Sequence, residues 1–384
     1  MMGVRRAIAA SALLSLALAG RAQSGKSADD SVRINQIQVI GTHNSYHAGL
    51  QPGVATLLSQ KDPQLFATLE YKHAGLTEQL NHGVRQIELD IYADSIGGRF
   101  AHPFGPQMVA AAGLPADPDP YADGRMAQPG FKVLHVQDID FVSNCQPFVA
   151  CLRIVHEWSK EHPGHLPIFI LVETVQRIPG GNYPWTKTES FTPALFDALD
   201  AEIRSVFAEN EMVIPDQVRG RYATLNQAIR HDAWPTLKQA RGKVVFLLDQ
   251  DWAGPIYMQG HEGLCGRILF TNAVPGAPDA AFVEVNEPDT GRISALVRQG
   301  YLVRTRSDAE TAEARANSTS RRDKALASGA QIVSTDYPAF EPAQWTGYSV
   351  SLPGGIPARC NTIAVNPLCQ DAPLEKITQP SHSD

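Results

Sequence analysis

The chain has 384 residues, 43% of them hydrophobic and 19% charged. That composition is globular and excludes disorder, collagen and coiled coil for the chain as a whole. A formal net charge of −7 leaves no basic field to hold nucleic-acid phosphates, and five cysteines are too few to replace an apolar core.

Residues 1–22 read as an export leader. Arg5 and Arg6 form a charged start, and Ala7 to Ala19 is an uncharged run rich in Ala and Leu. Ala17-Leu18-Ala19 and Gly20-Arg21-Ala22 both offer the small residues a signal cleavage site needs. The run is too short to span a bilayer comfortably, and no later stretch is long and apolar enough. Cleavage after Ala22 removes Arg5, Arg6 and Arg21 and takes the charge from −7 to −10. Bulk charge then does not draw the protein to anionic membranes. The expected location is secreted or periplasmic, where disulfides are permitted. Cys145 with Cys151 and Cys360 with Cys369 could each close a local loop, leaving Cys265 alone. No Cys-x-x-Cys spacing suggests a metal. Gly20 to Ser27, GRAQSGKS, matches a phosphate loop by pattern. It overlaps the leader's end and runs into a polar stretch, without the flanking strand and helix that chemistry requires.

In chain order, residues 23–33 are a polar leader and Gln36 to Gly41 is a short apolar strand ending in Thr-His-Asn-Ser-Tyr. Residues 62–82 have helical spacing. Val84 to Tyr92 is a second strand, with Glu88 and Asp90 on one face by its period of two. Residues 103–130 hold six Ala, four Gly and six Pro with no apolar period, which reads as a long loop. Lys132 to Val136 is a third strand, Arg153 to Lys160 a helix, and Leu166 to Val172 a fourth strand ending at Glu173. After a loop at Asn182 to Trp185 and helices over 189–240, Lys243 to Asp249 is a fifth strand. Arg267 to Phe270 and Ala281 to Val285 are candidates for a sixth. Tyr301 to Arg304 is a seventh, 308–328 a helix, and Gln331 to Thr335 an eighth. Short apolar strands separated by helices imply parallel strands joined by crossovers. Eight such units predict an α/β fold, a (β/α)8 barrel spanning 23–340 as a single domain. An open doubly wound sheet is the second choice. Residues 341–384 read as a C-terminal extension.

Four strand ends carry polar groups a packed core would not want: His43 and Asn44, Glu88 and Asp90, His135, and Glu173. In a barrel such ends meet at one face. Asn44, Glu88, Asp90 and Glu173 are hard oxygen donors suited to Ca²⁺ or Mg²⁺, and the carboxylates would repel one another without a cation. Two histidines add acid–base capacity. An oxygen-bound metal beside two imidazoles suits phosphodiester cleavage.

The motifs GTHNSYH (41–47), IELDIY (87–92), VLHVQDIDF (133–141) and IFILVET (168–174) resemble the Ca²⁺-dependent phosphoinositide-specific phospholipase C family in its secreted bacterial form. KVVFLLD, LVRTRSDA and ALASGAQIVSTDYP extend the likeness over about 300 residues. The resemblance implies a distorted barrel, a catalytic Ca²⁺ held by Asn44, Glu88, Asp90 and Glu173, and catalysis by His43, His135 and Glu88. It implies attack of an inositol 2-hydroxyl on phosphorus, with diacylglycerol or another alcohol leaving. Glu88 or Glu173 takes the hydroxyl proton, while His135 or His43 protonates the leaving group or holds the phosphoryl oxygens.

Some features depart from that pattern. The stretch between Asp90 and His135 is long, which makes His102 a rival second histidine. His135 is preferred because Val133 and Leu134 place it on a strand. Arg304, Arg306 and Asp249 are candidate substrate contacts, and Asp336 and Tyr337 are expected to line the site. The expected partner is an inositol phospholipid or phosphodiester, with transient membrane-surface contact, no nucleic acid, and a monomeric chain. No amphipathic membrane helix is visible. Two other readings are a glycerophosphodiester phosphodiesterase, against which Asn44 argues because that family has His-Arg there, and a catalytically inactive extracellular binding barrel.

Overall fold

The computed structural model describes residues 28–180, 184–371 and 374–375. The expected export leader, the phosphate-loop-like stretch and part of the Asn182–Trp185 loop lie outside the described residues. Short runs of β-branched and aromatic residues form strands buried along nearly their whole length, as parallel strands covered on both faces require. They are β1 (Ile37–Thr42), β2 (Gln86–Tyr92), β3 (Lys132–Val133), β4 (Ile168–Thr174), β5 (Val244–Leu248), β6 (Phe270–Thr271), β7 (Phe282–Glu284), β8 (Leu302–Arg306), β9 (Ile332–Thr335) and β10 (Ala358–Cys360).

Eight of these are parallel and follow the order β6-β5-β4-β2-β1-β9-β8-β7. A single parallel bridge between Asn272 and Phe282 joins the two ends of that order, so the ring is a nearly closed barrel with one thin seam. The barrel expectation holds, with two changes of membership. The expected third strand is two residues long and antiparallel to β2, so it is a short ribbon outside the ring. The two candidates for a sixth strand are instead two strands, β6 and β7.

Helices also differ from the spacing in detail. Residues 62–82 break into Pro63–Leu69, capped by Asp62, and Leu76–Asn81. Residues 308–328 break into Ala312–Ala316 and Ser320–Ala327 at Asn317, whose φ is 50°. Phe148–Glu161 turns Phe148, Cys151, Leu152, Val155 and Trp158 inward. The long loop 103–130 contains one helix, Gly105–Ala111, and a 3-10 turn.

The first barrel strand is tightly fitted. Gly41 is paired in register with Gln86, and a Cβ on Gly41 would come within 1.9 Å of Gln86 Oε1. Only glycine permits that approach, which fixes where the following Thr-His-Asn turn emerges.

The C-terminal segment packs back onto the barrel floor. β10 runs antiparallel to the start of β1. Cys360–Cys369 and Cys145–Cys151 are bonded, and Cys265 is free and exposed. Arg241, just before β5, binds Asp29 at 2.6 Å and donates to the Leu374 carbonyl at 2.8 Å. The two ends of the described chain therefore meet on one guanidinium.

Candidate active site

At the C-terminal strand ends, the turn after β1 carries His43 and Asn44. The His43 amide donates to the Thr335 carbonyl of β9 at 3.0 Å, and Ser45 Oγ accepts from the Glu88 amide of β2 at 2.8 Å. Both neighbouring strands thus hold the turn. Asn44 adopts a φ of 47°, a left-handed conformation asparagine tolerates well. Its Nδ2 donates to the Tyr71 hydroxyl at 2.8 Å, while its buried Oδ1 has no partner.

β2 and β4 pair so that Asp90 lies beside Glu173. One oxygen from each of Glu88, Asp90 and Glu173 lies within 4.8 Å of the others. Asp90 Oδ1 is buried and unpartnered. Burial first, then Glu173 and Glu88, pushes the Asp90 carboxyl well above its usual range. Burial, with Asp249 and Glu88, pushes Glu173 up to about 8. Clustered carboxylates that resist ionisation, beside a free amide oxygen, have the donor chemistry of an oxygen-ligated divalent cation site. Asn44, Glu88, Asp90 and Glu173 therefore fit calcium.

Arg304 of β8 lies behind the cluster. It contacts Glu88 Oε2 at 2.5 Å, Asn286 Oδ1 at 2.6 Å and Glu284 Oε1 at 3.4 Å. Burial works against its charge, but Glu88 and Glu284 hold the guanidinium protonated. Glu284 was not foreseen, although β7 ends on it much as β4 ends near Glu173. Burial and Asp249 raise the Glu284 carboxyl well above the usual range.

His43 Nδ1 lies 2.7 Å from Asp336 Oδ1, and its Nε2 lies 3.2 Å from Arg306 Nη1 and 3.6 Å from Glu88 Oε1. A guanidinium has no acceptor. Nε2 therefore accepts from Arg306, and the ring is the neutral tautomer with its proton on Nδ1. Burial, then Arg306, lowers its pKa against the opposing pull of Glu88 and Asp336. Burial works against Asp336, yet His43 and Arg306 hold its carboxyl well below the usual range. Asp308 fixes Asp336 by accepting its amide at 2.8 Å. Asp336 was expected only to line the site, and it is the direct partner of His43.

His135 lies just beyond β3, not on a barrel strand as expected. Its position comes from a tight turn in which Val136 bridges Asp140. His135 Nδ1 lies 2.8 Å from Asp140 Oδ2, and His47 Nε2 lies 2.8 Å from Asp140 Oδ1. Burial works against the Asp140 charge, but His47 and His135 hold its carboxyl well below the usual range. The His47 ring is 4.5 Å from that of Tyr71 and 5.4 Å from that of His135, so His135 joins the Asn44 side of the site through two packed rings. His43 and His135 have the same side-chain exposure, 17%. His102 is exposed, and among the described residues no contact joins it to this network. His47 and Asp140 were not singled out, though both lie inside the motifs quoted above. His73 is buried and bonds Glu341 at 2.7 Å and the His43 carbonyl at 3.0 Å.

An eight-stranded α/β barrel with an acidic oxygen cluster and two carboxylate-anchored histidines at its strand ends has the fold and the donor set of the metal-dependent barrel hydrolases. The model of the family described as phosphoinositide phospholipase C, Ca²⁺-dependent, matches residues 32–362. The chain belongs to that family: it is a calcium-dependent phosphoric diester hydrolase of the phospholipase C type. Solved structures agree on the fold. A calcium-dependent phosphoinositol-specific phospholipase C from a Pseudomonas species, in its myo-inositol complex, aligns at 16% identity. That alignment has a TM-score of 0.53 and covers 86% of this chain and 96% of that one. A second crystal form of the same enzyme aligns at 16% identity with a TM-score of 0.54, covering 87% and 97%. A search of curated protein sequences finds no match.

Proposed function

We propose that the protein cleaves phosphatidylinositol-type lipids or related inositol phosphodiesters by attack of the inositol 2-hydroxyl on the adjacent phosphorus. The observation that carries this reading is the convergence of Glu88, Asp90 and Glu173 within 4.8 Å, beside the unpartnered Asn44 oxygen and His43. These four oxygen donors would hold Ca²⁺, which supplies charge neutralisation for the phosphoryl oxygens when bound. Glu88 takes the hydroxyl proton. Arg306, bonded to both His43 and Asp336, presents cationic donors to the phosphoryl group. Neutral His43 positions Arg306 through Nε2. His135, held by Asp140 at Nδ1, protonates the leaving oxygen from Nε2. Arg304 and Asp249, with the newly found Glu284 and Asn286, supply paired donors and acceptors for ring hydroxyls.

Ile96, Ile178 and Val274 are exposed by 80%, 50% and 74%. They stand in the loops leaving β2, β4 and β6, on the side of the site. They support transient contact with a lipid surface. Two disulfides and the 1–22 leader support an extracellular or periplasmic location, with the barrel over 23–340 followed by the 341–384 extension. Phosphorus NMR of the products from a panel of inositol phosphodiesters tests the reading. Inositol phosphate, cyclic or opened, is expected with Ca²⁺ and absent in excess EGTA. Equal turnover in EGTA, or cleavage of glycerophosphodiesters alone, would refute it.

A further inference from the structure

The turn from His43 to His47 carries one acid–base histidine and one proposed calcium oxygen, so its backbone must hold two groups at once. Asn44 is its weak point. The φ of 47° there is left-handed, a conformation that a residue with a Cβ adopts at a cost. A flip of the peptide between His43 and Asn44 would relieve that cost and swing both side chains out of place.

A residue outside the turn opposes the flip. His73 is 4% exposed and lies between the helices Pro63–Leu69 and Leu76–Asn81. Its Nε2 lies 3.0 Å from the His43 carbonyl oxygen, the atom a flip would turn away. Its backbone amide donates to the His47 carbonyl at 2.8 Å. His73 therefore staples both ends of the turn. A carbonyl oxygen only accepts, so Nε2 carries a proton. Nδ1 faces Glu341 Oε2 at 2.7 Å, and the other oxygen of Glu341 accepts from the Ala74 amide at 2.5 Å. Glu341 thus fixes the ring and the adjoining backbone together. It lies 268 positions from His73, at the first residue of the stretch expected to be a C-terminal extension. We infer that His73 and Glu341 are positioning residues for the reaction: through the His43–Asn44 peptide they aim the His43 ring and the Asn44 oxygen as one unit. Neither is a metal ligand or a proton carrier in the proposed function, on which the inference rests.

The two ring nitrogens let this role be separated from packing. A glutamine amide reaches about as far as Nε2 and can still donate to the His43 carbonyl, whereas an asparagine amide reaches only to the Nδ1 position. At saturating calcium, His73→Asn should lower kcat by at least about ten-fold. Its calcium affinity, read by calorimetry without substrate, should weaken by at least about ten-fold. His73→Gln should recover both to within about three-fold of the wild type. Glu341 gives an independent comparison. Glu341→Gln can still accept from Ala74 and donate to Nδ1, so it should lose much less than Glu341→Ala in both measurements. Thermal melting checks that each variant is folded, and the Glu341 pair decides the matter if His73→Asn is not. Equal losses in the Gln and Asn variants of His73 and in the Gln and Ala variants of Glu341, with calcium affinity unchanged, would make the pair packing alone and overturn the inference while the proposed function stands. If the wild-type chain cleaves no inositol phosphodiester, the proposed function fails and the calcium affinities decide the inference. No calcium binding by the wild-type chain would overturn both.

Discussion

Calcium binding should release protons, and the number follows from the carboxylate cluster. With pKa near 8, the Glu173 carboxyl is about nine-tenths protonated at pH 7 in the metal-free protein. Asp90 is shifted in the same direction. Ligands must be deprotonated to bind a hard cation. Uptake of one Ca²⁺ at pH 7 should therefore expel roughly one to two protons, and log Kd should fall by roughly one to two per pH unit between pH 6 and 8. Calorimetric titrations in buffers of different ionisation enthalpy count these protons directly. The same shifts fix the sign for stability. Both folded-state values are raised, so this contribution is full below the unfolded value near 4 and is lost as pH rises through about 8. In EGTA the melting temperature should fall from pH 5 to 8. Saturating calcium should remove that fall. Release of less than about half a proton at pH 7, with an affinity independent of pH, would mean that the three carboxylates do not share one ion.

Further outcomes concern the histidines and the thiols. His43→Ala and His135→Ala should each lower kcat by at least about 10²-fold, with calcium affinity little changed. The double variant should fall well short of the product of the singles, because both act on one transition state. His102→Ala should lose much less, and a dead His102→Ala beside a near-normal His135→Ala would overturn the assignment. Asp140→Asn should lower kcat by at least about ten-fold and shift the acidic limb of the pH–rate profile, whereas a change in thermal stability alone would make Asp140 merely structural. Thiol labelling of the denatured, unreduced chain should add one tag, at Cys265, and a count of five would contradict the bonded pairs.

The barrel was legible because its strands are short apolar runs with polar ends, a pattern that burial on both faces enforces. Glu88 and Asp90 were readable as same-face residues from the period of two in β2. The strand count survived a compensating pair of misreadings. Lys132 to Val136 has strand composition, but its ladder stops at Val133, where the chain turns to set His135 against Asp140. β6 and β7, at two and three residues, are too short for periodicity to resolve. The four oxygen donors proposed to hold calcium belong to contiguous motifs, so each was readable without tertiary information. The partners of the histidines depend on tertiary contact. Asp336 is 293 positions from His43, and Arg306 is 263 away. No local pattern links such residues.

The sharing of Arg241 by Asp29 and Leu374 has a topological consequence. Chain order is set by where the two ends of the ordered barrel fall, and the described ends, at Asp29 and Leu374, fall together on the barrel floor, opposite the catalytic mouth. A short peptide joining them would cross little distance, and new ends cut into the irregular 103–130 loop would break no barrel strand. Such circularly permuted chains should keep the eight-stranded ring. Cargo attached beside Asp29 or Leu374 would hang from the floor and leave the mouth clear to meet its substrate.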